Sequence, residues 1–389
     1  MATFNSERLK SARLLAGLSL RQLEDKLSGH ISYSTINKYE KGQMQPEPAT
    51  VIRLAECLRV RPSYFFEKNT IDIGKIDFRK KTSLTQTETA HIIELTRDKV
   101  QRYLETESLF CFTIEFDNPI ATKQVREVAK ADEMADRVRA EWGLGSNPIP
   151  NVIEMLERNE VKVIEVQASE KFDGLSTYVA HGVPVVVVNE IFAVERKRFT
   201  ALHELGHLMM NLKLGTEKEK EAACHRFAGA MLFPEAEVKK TLGDKRSHIA
   251  WGELAAIKEE YGISAQAIMR RALDLGVITP GNYKQICMKL SDKEKEQGLG
   301  IYPGEEKSHR LLKMIFRLLS EGAIDESRAA SLAGLPTNVF LSMYHYVPIE
   351  DIKAPYDMAN AAFADAWGEE EPEYSLNDVK SINPDYEGW

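Results

Sequence analysis

Residues 196–207 read Arg196-Lys197-Arg198-Phe199-Thr200-Ala201-Leu202-His203-Glu204-Leu205-Gly206-His207, and this stretch decides how the chain is read. On an α-helix, positions i and i+4 project from one face, so His203 and His207 can turn two imidazoles toward one metal ion. Neutral imidazole nitrogens suit Zn²⁺. Glu204 lies in the same turn, where a carboxylate can act as general base on an activated water. Phe199, Leu202, Leu205, Leu208 and Met209 make the flanks apolar, as a helix carrying a buried site requires.

Outward from that helix the pattern is α+β. Helical periodicity covers 131–142 and resumes at Val152, Ile153 and Leu156. Residues 161–166 alternate as a strand does, Asp173-Gly174-Leu175-Ser176 has turn chemistry, and Pro184-Val185-Val186-Val187-Val188-Asn189 reads as a second strand. Downstream, Glu221-Ala222-Ala223-Cys224-His225-Arg226-Phe227-Ala228-Gly229-Ala230-Met231-Leu232-Phe233-Pro234 is a helix with a buried side. Together with Gly174-Leu175-Ser176 and the strand ending at Asn189, this region strongly resembles the ImmA/IrrE family of metallopeptidases over about residues 125–280.

The resemblance implies a zincin-like fold, bound Zn²⁺ and cleavage of a narrow substrate, typically a repressor or an antitoxin-like protein. It also implies a third metal ligand on the second helix. Alignment to the family's Glu-x-x-Ala-Asn-x-Phe-Ala pattern puts that ligand at Glu221, with Glu219 the alternative by proximity. His225 departs from the family, which usually has Asn there. It shares a helix face with Glu221, and three roles are open to it: a partner behind a ligand, a donor to a developing oxyanion, or a competing ligand. Arg196 and Arg198 are read as binding the substrate chain or neutralising site carboxylates, while Asn189 and Thr200 are read as structural.

The first 68 residues are different in kind. They hold 11 basic and 7 acidic side chains, a net of +4. Leu9, Ala12, Leu15 and Ala16 recur at helical spacing until Gly17. Ser19 and Gln22 have the spacing of a capping box. Ser32 or Ser34 opens a third helix through Ile36 and Tyr39, and Pro46 and Pro48 precede a fourth. Leu23, Ser34-Thr35-Ile36, Tyr39-Glu40-Lys41-Gly42 and Pro46…Leu54-Ala55 resemble the XRE-type helix-turn-helix domain, with a turn before the third helix about two residues longer than usual. The resemblance implies DNA binding, with the third helix in the major groove and a homodimer on a palindromic operator. Arg21, Gln22, Ser32, Tyr33, Ser34, Thr35, Asn37 and Lys38 are the expected contacts to bases and phosphates.

The net charge of -8 would argue against a nucleic-acid binder, but residues 347–389 hold 11 acidic and 2 basic side chains and carry the excess. Without that tail the rest of the chain sums to +1. Its aromatics (Tyr356, Phe363, Trp367, Tyr374, Tyr386, Trp389) suit a segment that docks into a basic groove, or one that neutralises a basic toxin; a solvated acidic tail is the plain alternative. Cys57, Cys111, Cys224 and Cys287 are scattered, with no metal-binding pair. No apolar run approaches a membrane span and the N-terminus has no signal-peptide core, so a cytoplasmic protein is expected.

The expected architecture is α+β and mostly helical. It comprises a four- or five-helix helix-turn-helix domain at 1–68, a connector at 69–124 and a metallopeptidase-like domain with a small sheet at 125–280. A helical region at 281–346 and the acidic aromatic tail at 347–389 follow. The function implied is a DNA-binding regulator with a zinc peptidase; the rival is a non-proteolytic repressor or toxin–antitoxin component that keeps the fold for sensing or partner binding.

Overall fold

The computed structural model describes residues 3–66, 84–110, 115–179, 182–290 and 298–345. The acidic tail and Cys111 lie outside the described residues.

The N-terminal module is built from α1 (Ser6–Leu15), α2 (Leu20–Lys26), α3 (Tyr33–Glu40) and α4 (Pro48–Cys57), closed by a short 3-10 turn, Pro62–Phe66. The expected caps form. Ser19 and Gln22 make a reciprocal capping box, and Ser32, rather than Ser34, caps α3. Pro48 enters α4 at its first turn, where its missing N–H costs nothing. Leu9, Leu23, Ile36, Leu54 and Phe65 form the centre of a separate core. A buried ion pair fixes the module: Arg13 of α1 donates to both carboxylate oxygens of Glu40 at the end of α3, at 2.6 and 2.9 Å.

Helix α5 (Gln86–Ser108), capped by a Thr85–Glu88 box, lies in the stretch expected to be a connector, and it forms one wall of the central sheet. Strand β1 (Gln124–Val125) and helices α6 (Ala131–Glu141) and α7 (Val152–Arg158) follow, then strands β2 (Lys162–Val166), β3 (Gly174–Val179) and β4 (Val183–Asn189). The order is β2-β4-β3, with β2 parallel and β3 antiparallel to β4. Gly174-Leu175-Ser176 is therefore the start of a strand, and the turn expected there is corrected. Asp-Gly-x-Ser has turn chemistry locally, but register against β4, with Gly174 opposite Val188 and Ser176 opposite Val186, overrides it.

The run of valines in β4 is explained by its central place. Val186 and Val188 face the large core under the helices, while Val185 and Val187 face α5, packing with Ile92, Val100 and Tyr103. A strand buried on both faces reads as continuously apolar.

Over the inner face run α8 (Val194–Met209), β5 (Asn211–Leu212), which pairs with β1, and α9 (Glu217–Leu232). Helices α10 (Glu235–Leu242), α11 (Trp251–Tyr261), α12 (Ala265–Asp274) and α13 (Pro280–Leu290) complete the layer, and α14 (Arg310–Ser320) follows. From Ile315 the chain forms a second unit. Within it α15 (Glu326–Ala333) and α16 (Thr337–Tyr344) are joined through Gly334, with Phe316, Phe340 and Tyr344 in one aromatic cluster. The whole is the mostly helical α+β protein that the sequence implies.

Candidate functional site

Two helices and one strand edge meet at the site. Helix α8 presents His203, Glu204 and His207; α9 presents Glu221. The closeness of the helices depends on Gly206, where a Cβ would stand 3.2 Å from Phe227 Cδ1 and 3.5 Å from the Cα of Cys224. With that side chain absent, Glu221 reaches across. Its two oxygens lie 3.2 Å from His203 Nε2 and 3.2 Å from His207 Nε2, and the two Nε2 atoms are 3.2 Å apart. His203, His207 and Glu221 form the group among the described residues whose donor atoms could share one ion. Glu219, the alternative, is occupied in a capping box with Thr216.

The spacing tests the fit of a metal. Ligand bonds of 2.0–2.1 Å in a tetrahedron put neighbouring ligand atoms about 3.3 Å apart. Here the contacts of 3.2 Å run between the two Nε2 atoms and from each of them to a different Glu221 oxygen, and lone pairs crowded this closely repel one another unless a positive charge is shared among them. The donor set fits a divalent cation such as zinc.

Glu204 is almost fully buried and does not join the triangle. Its Oε2 accepts a hydrogen bond from Ser176 Oγ at 2.8 Å. Ser176 can reach because β3 runs tight against α8: a Cβ on Gly174 would stand 2.7 Å from Thr200 Cγ2 and 2.7 Å from Val187 O. Two residues further along the same face, Tyr178 donates to Leu208 O at 2.9 Å. The role of Ser176 was not legible from residue type; the only signal is the alternation Gly174, Ser176, Tyr178 on one face of a strand.

His225 is exposed and lies beside the centre, its ring 4.3 Å from that of His203 and stacked on Phe199 at 5.8 Å. It does not join the group of candidate ligands. His203 Nδ1 is buried without a hydrogen-bond partner among the described residues. Cys224 Sγ lies 3.4 Å from His207 Nδ1.

The reading of Arg198 as a substrate or site group is corrected. It is fully buried and donates to Gly262 O at 3.0 Å, Ile149 O at 2.7 Å and Tyr261 O at 3.1 Å, and it is paired with Glu306. It joins three segments to α8 and is remote from solvent. Arg196 pairs with Asp173 and stacks on Phe192. Asn189 binds the Ala168, Ser169 and Phe172 carbonyls at 2.9–3.1 Å, a structural role as expected.

On the N-terminal module Arg21, Gln22, Ser32, Tyr33, Ser34 and Lys38 are exposed, and Thr35 and Asn37 are half-buried. Gln22 Oε1 is taken by Ser19 N, which leaves its amide NH₂ outward. The hydroxyls of Ser34 and Thr35 gather on Ser32 Oγ at 3.0 and 2.9 Å. Tyr33, Asn37 and Lys38 therefore offer the side chains least committed to the cap.

The fold and site thus define a class: a helix-turn-helix DNA-binding module carried in one chain with an HExxH domain of the metallopeptidase type. Comparison with protein families agrees. A helix-turn-helix family model matches residues 9–65, and the model of the IrrE N-terminal-like domain, a peptidase family, matches residues 156–273. The chain is a fusion of these two. No curated protein matches it. Among the described residues, no helix is long and apolar enough to cross a membrane.

Proposed function

We propose that this chain is a DNA-binding regulator whose IrrE-like domain is a zinc-dependent peptidase acting on one regulatory protein, a repressor or an antitoxin-like partner. The observation that carries the reading is the triangle of His203, His207 and Glu221 beside a buried Glu204 that is not among the ligands. His203, His207 and Glu221 would hold the ion. Bound zinc supplies acidification of water and polarisation of a carbonyl.

The chain's own residues do the rest. Glu204 takes a proton from water as the hydroxyl adds to the peptide carbonyl carbon. It returns that proton to the nitrogen as the C–N bond breaks, so a carboxylate and an amine are released. Ser176 holds Glu204 at one oxygen and leaves the other free for the proton. His225, exposed beside the centre, would donate to the carbonyl oxygen as charge develops there. Tyr33, Asn37 and Lys38 on α3, with Arg21 and Gln22 on α2, would read and grip an operator, as a homodimer on a palindrome.

The test is zinc quantification on the full chain, alongside incubation with the product of the neighbouring reading frame. Glu204→Gln is expected to keep fold and zinc and lose cleavage by at least about 100-fold, the scale of general-base catalysis; His203→Ala is expected to lose zinc. Undiminished cleavage by the Glu204→Gln protein would sink the assignment.

A further inference from the structure

Helix α9 does more at the centre than deliver Glu221. His207 turns Nε2 toward Glu221 and places Nδ1 3.4 Å from Cys224 Sγ. Cys224 is fully buried and stands three residues after Glu221, so the carboxylate and the thiol share a helix face. Gly206, next to His207, admits this contact, since its missing side chain lets the Cys224 backbone approach to 3.5 Å of where a Cβ would be.

We propose that Cys224 is a positioning residue of the metal centre, an inference that rests on the reading that the centre holds zinc. Its sulfur accepts the Nδ1–H of His207. A neutral imidazole has one donor and one acceptor nitrogen, so a proton held at Nδ1 leaves the Nε2 lone pair directed at the shared centre. Partners of this kind orient a ligand and raise its basicity, and losing one typically costs 10–100-fold in metal affinity. Sulfur is a weak acceptor, so here the partner fixes direction and tautomer and adds little charge to the ring. The residue type matters less than an acceptor at that place.

The experiment measures zinc affinity by chelator competition on the full-length wild type, Cys224→Ala and Cys224→Ser. In parallel, nuclear magnetic resonance of isotope-labelled histidine follows the His207 Nδ1 proton in the zinc-loaded proteins. Cys224→Ala is expected to lose roughly 10–100-fold in affinity and to expose that proton to rapid exchange. Cys224→Ser leaves a similar void but keeps an acceptor, so it should retain most of the affinity and the protected proton. Equal behaviour of the two variants, whether both match wild type or both fall together, overturns the proposal. If Cys224→Ala does not fold, loss of the Nδ1 proton and of affinity in Cys224→Ser alone overturns it. A wild type that binds no zinc overturns the zinc reading itself, and this inference with it.

Discussion

At the scale of single residues, the chemistry that lies within one turn of helix was legible and the chemistry that crosses between elements was not. His203 and His207 declare themselves because four residues make one turn. Ser176 does not, because its partner Glu204 is 28 positions away and only a strand register brings them together. Glu221 needed family alignment for the same reason: nothing local distinguishes it from Glu217 and Glu219 in one charged run. The Ser176 hydroxyl donates to a carboxylate, a bond worth roughly 1.5–3 kcal/mol. Ser176→Ala is accordingly expected to lower kcat for cleavage by about 10–100-fold while zinc content stays at wild type; a drop in zinc content would show that the hydroxyl supports the ligands instead. Gly174→Ala drives a methyl to 2.7 Å from the backbone oxygen of Val187, a contact that flexible side chains cannot relieve. The strand must shift away from α8, at a cost of about 1–3 kcal/mol read as a lower unfolding midpoint. Unaltered stability in that variant would mean that β3 and α8 are less tightly apposed than described.

At the scale of elements, most helices and two strands follow from periodicity and capping, and the misreading at β3 has a clear cause. Asp173-Gly174 carries local turn preference, yet residues 174–179 pair antiparallel along the free edge of β4 from Gly174 opposite Val188 to Val179 opposite Val183. Long-range pairing outweighs a preference worth a fraction of a kcal/mol. In the N-terminal module the sequence indicates α3 but not what holds it at its angle. That is the Arg13–Glu40 pair, both side chains less than a tenth exposed. Arg13 also donates to Leu18 O at 2.7 Å, so one guanidinium ties together α1, the α1–α2 turn and the end of α3. Removing one partner strands the other in the interior, so Glu40→Ala is expected to destabilise the module by about 3–5 kcal/mol. Operator affinity should fall with it, even though Glu40 is not among the side chains expected to touch DNA. Denaturant unfolding followed by a probe in α3 measures the first effect and a DNA-binding titration the second; a variant that keeps both would show the pair to be dispensable.

At the scale of the whole molecule, the two-part organisation was visible in the partition of charge and in the two motifs. What lay hidden is that the IrrE-like domain is completed by residues beyond the span its family model matches. Residues 302–310 run across α7 and α8. Glu306 accepts from the Val152 and Ile153 amides at 2.9 Å and pairs with Arg198, Lys197 donates to Glu306 O at 2.9 Å, and Tyr302 donates to Pro150 O at 2.8 Å. Beside it, Glu157 accepts from Ser308 and, at 3.4 Å, from Tyr103, next to the buried Glu160 and Lys162 and the half-buried Glu107 and Arg310. Burial is the first cause that pushes the Glu157 carboxyl up from 4.5 to about 7, against the opposing pull of Ser308 and Arg310. Because the folded state holds this proton more tightly than the unfolded chain, its contribution to stability is fully present below about pH 4.5. It is lost as pH rises through about 7, and it is constant above that. The span corresponds to at most about 3 kcal/mol. Glu157→Gln cannot ionise, so the difference in unfolding free energy between wild type and this variant should shift in wild type's disfavour between pH 4.5 and 7.5, then level off. Parallel curves for the two proteins across that range would mean that the Glu157 carboxyl is no harder to ionise in the folded protein than in the unfolded chain, and that Arg310 and Ser308 offset its burial.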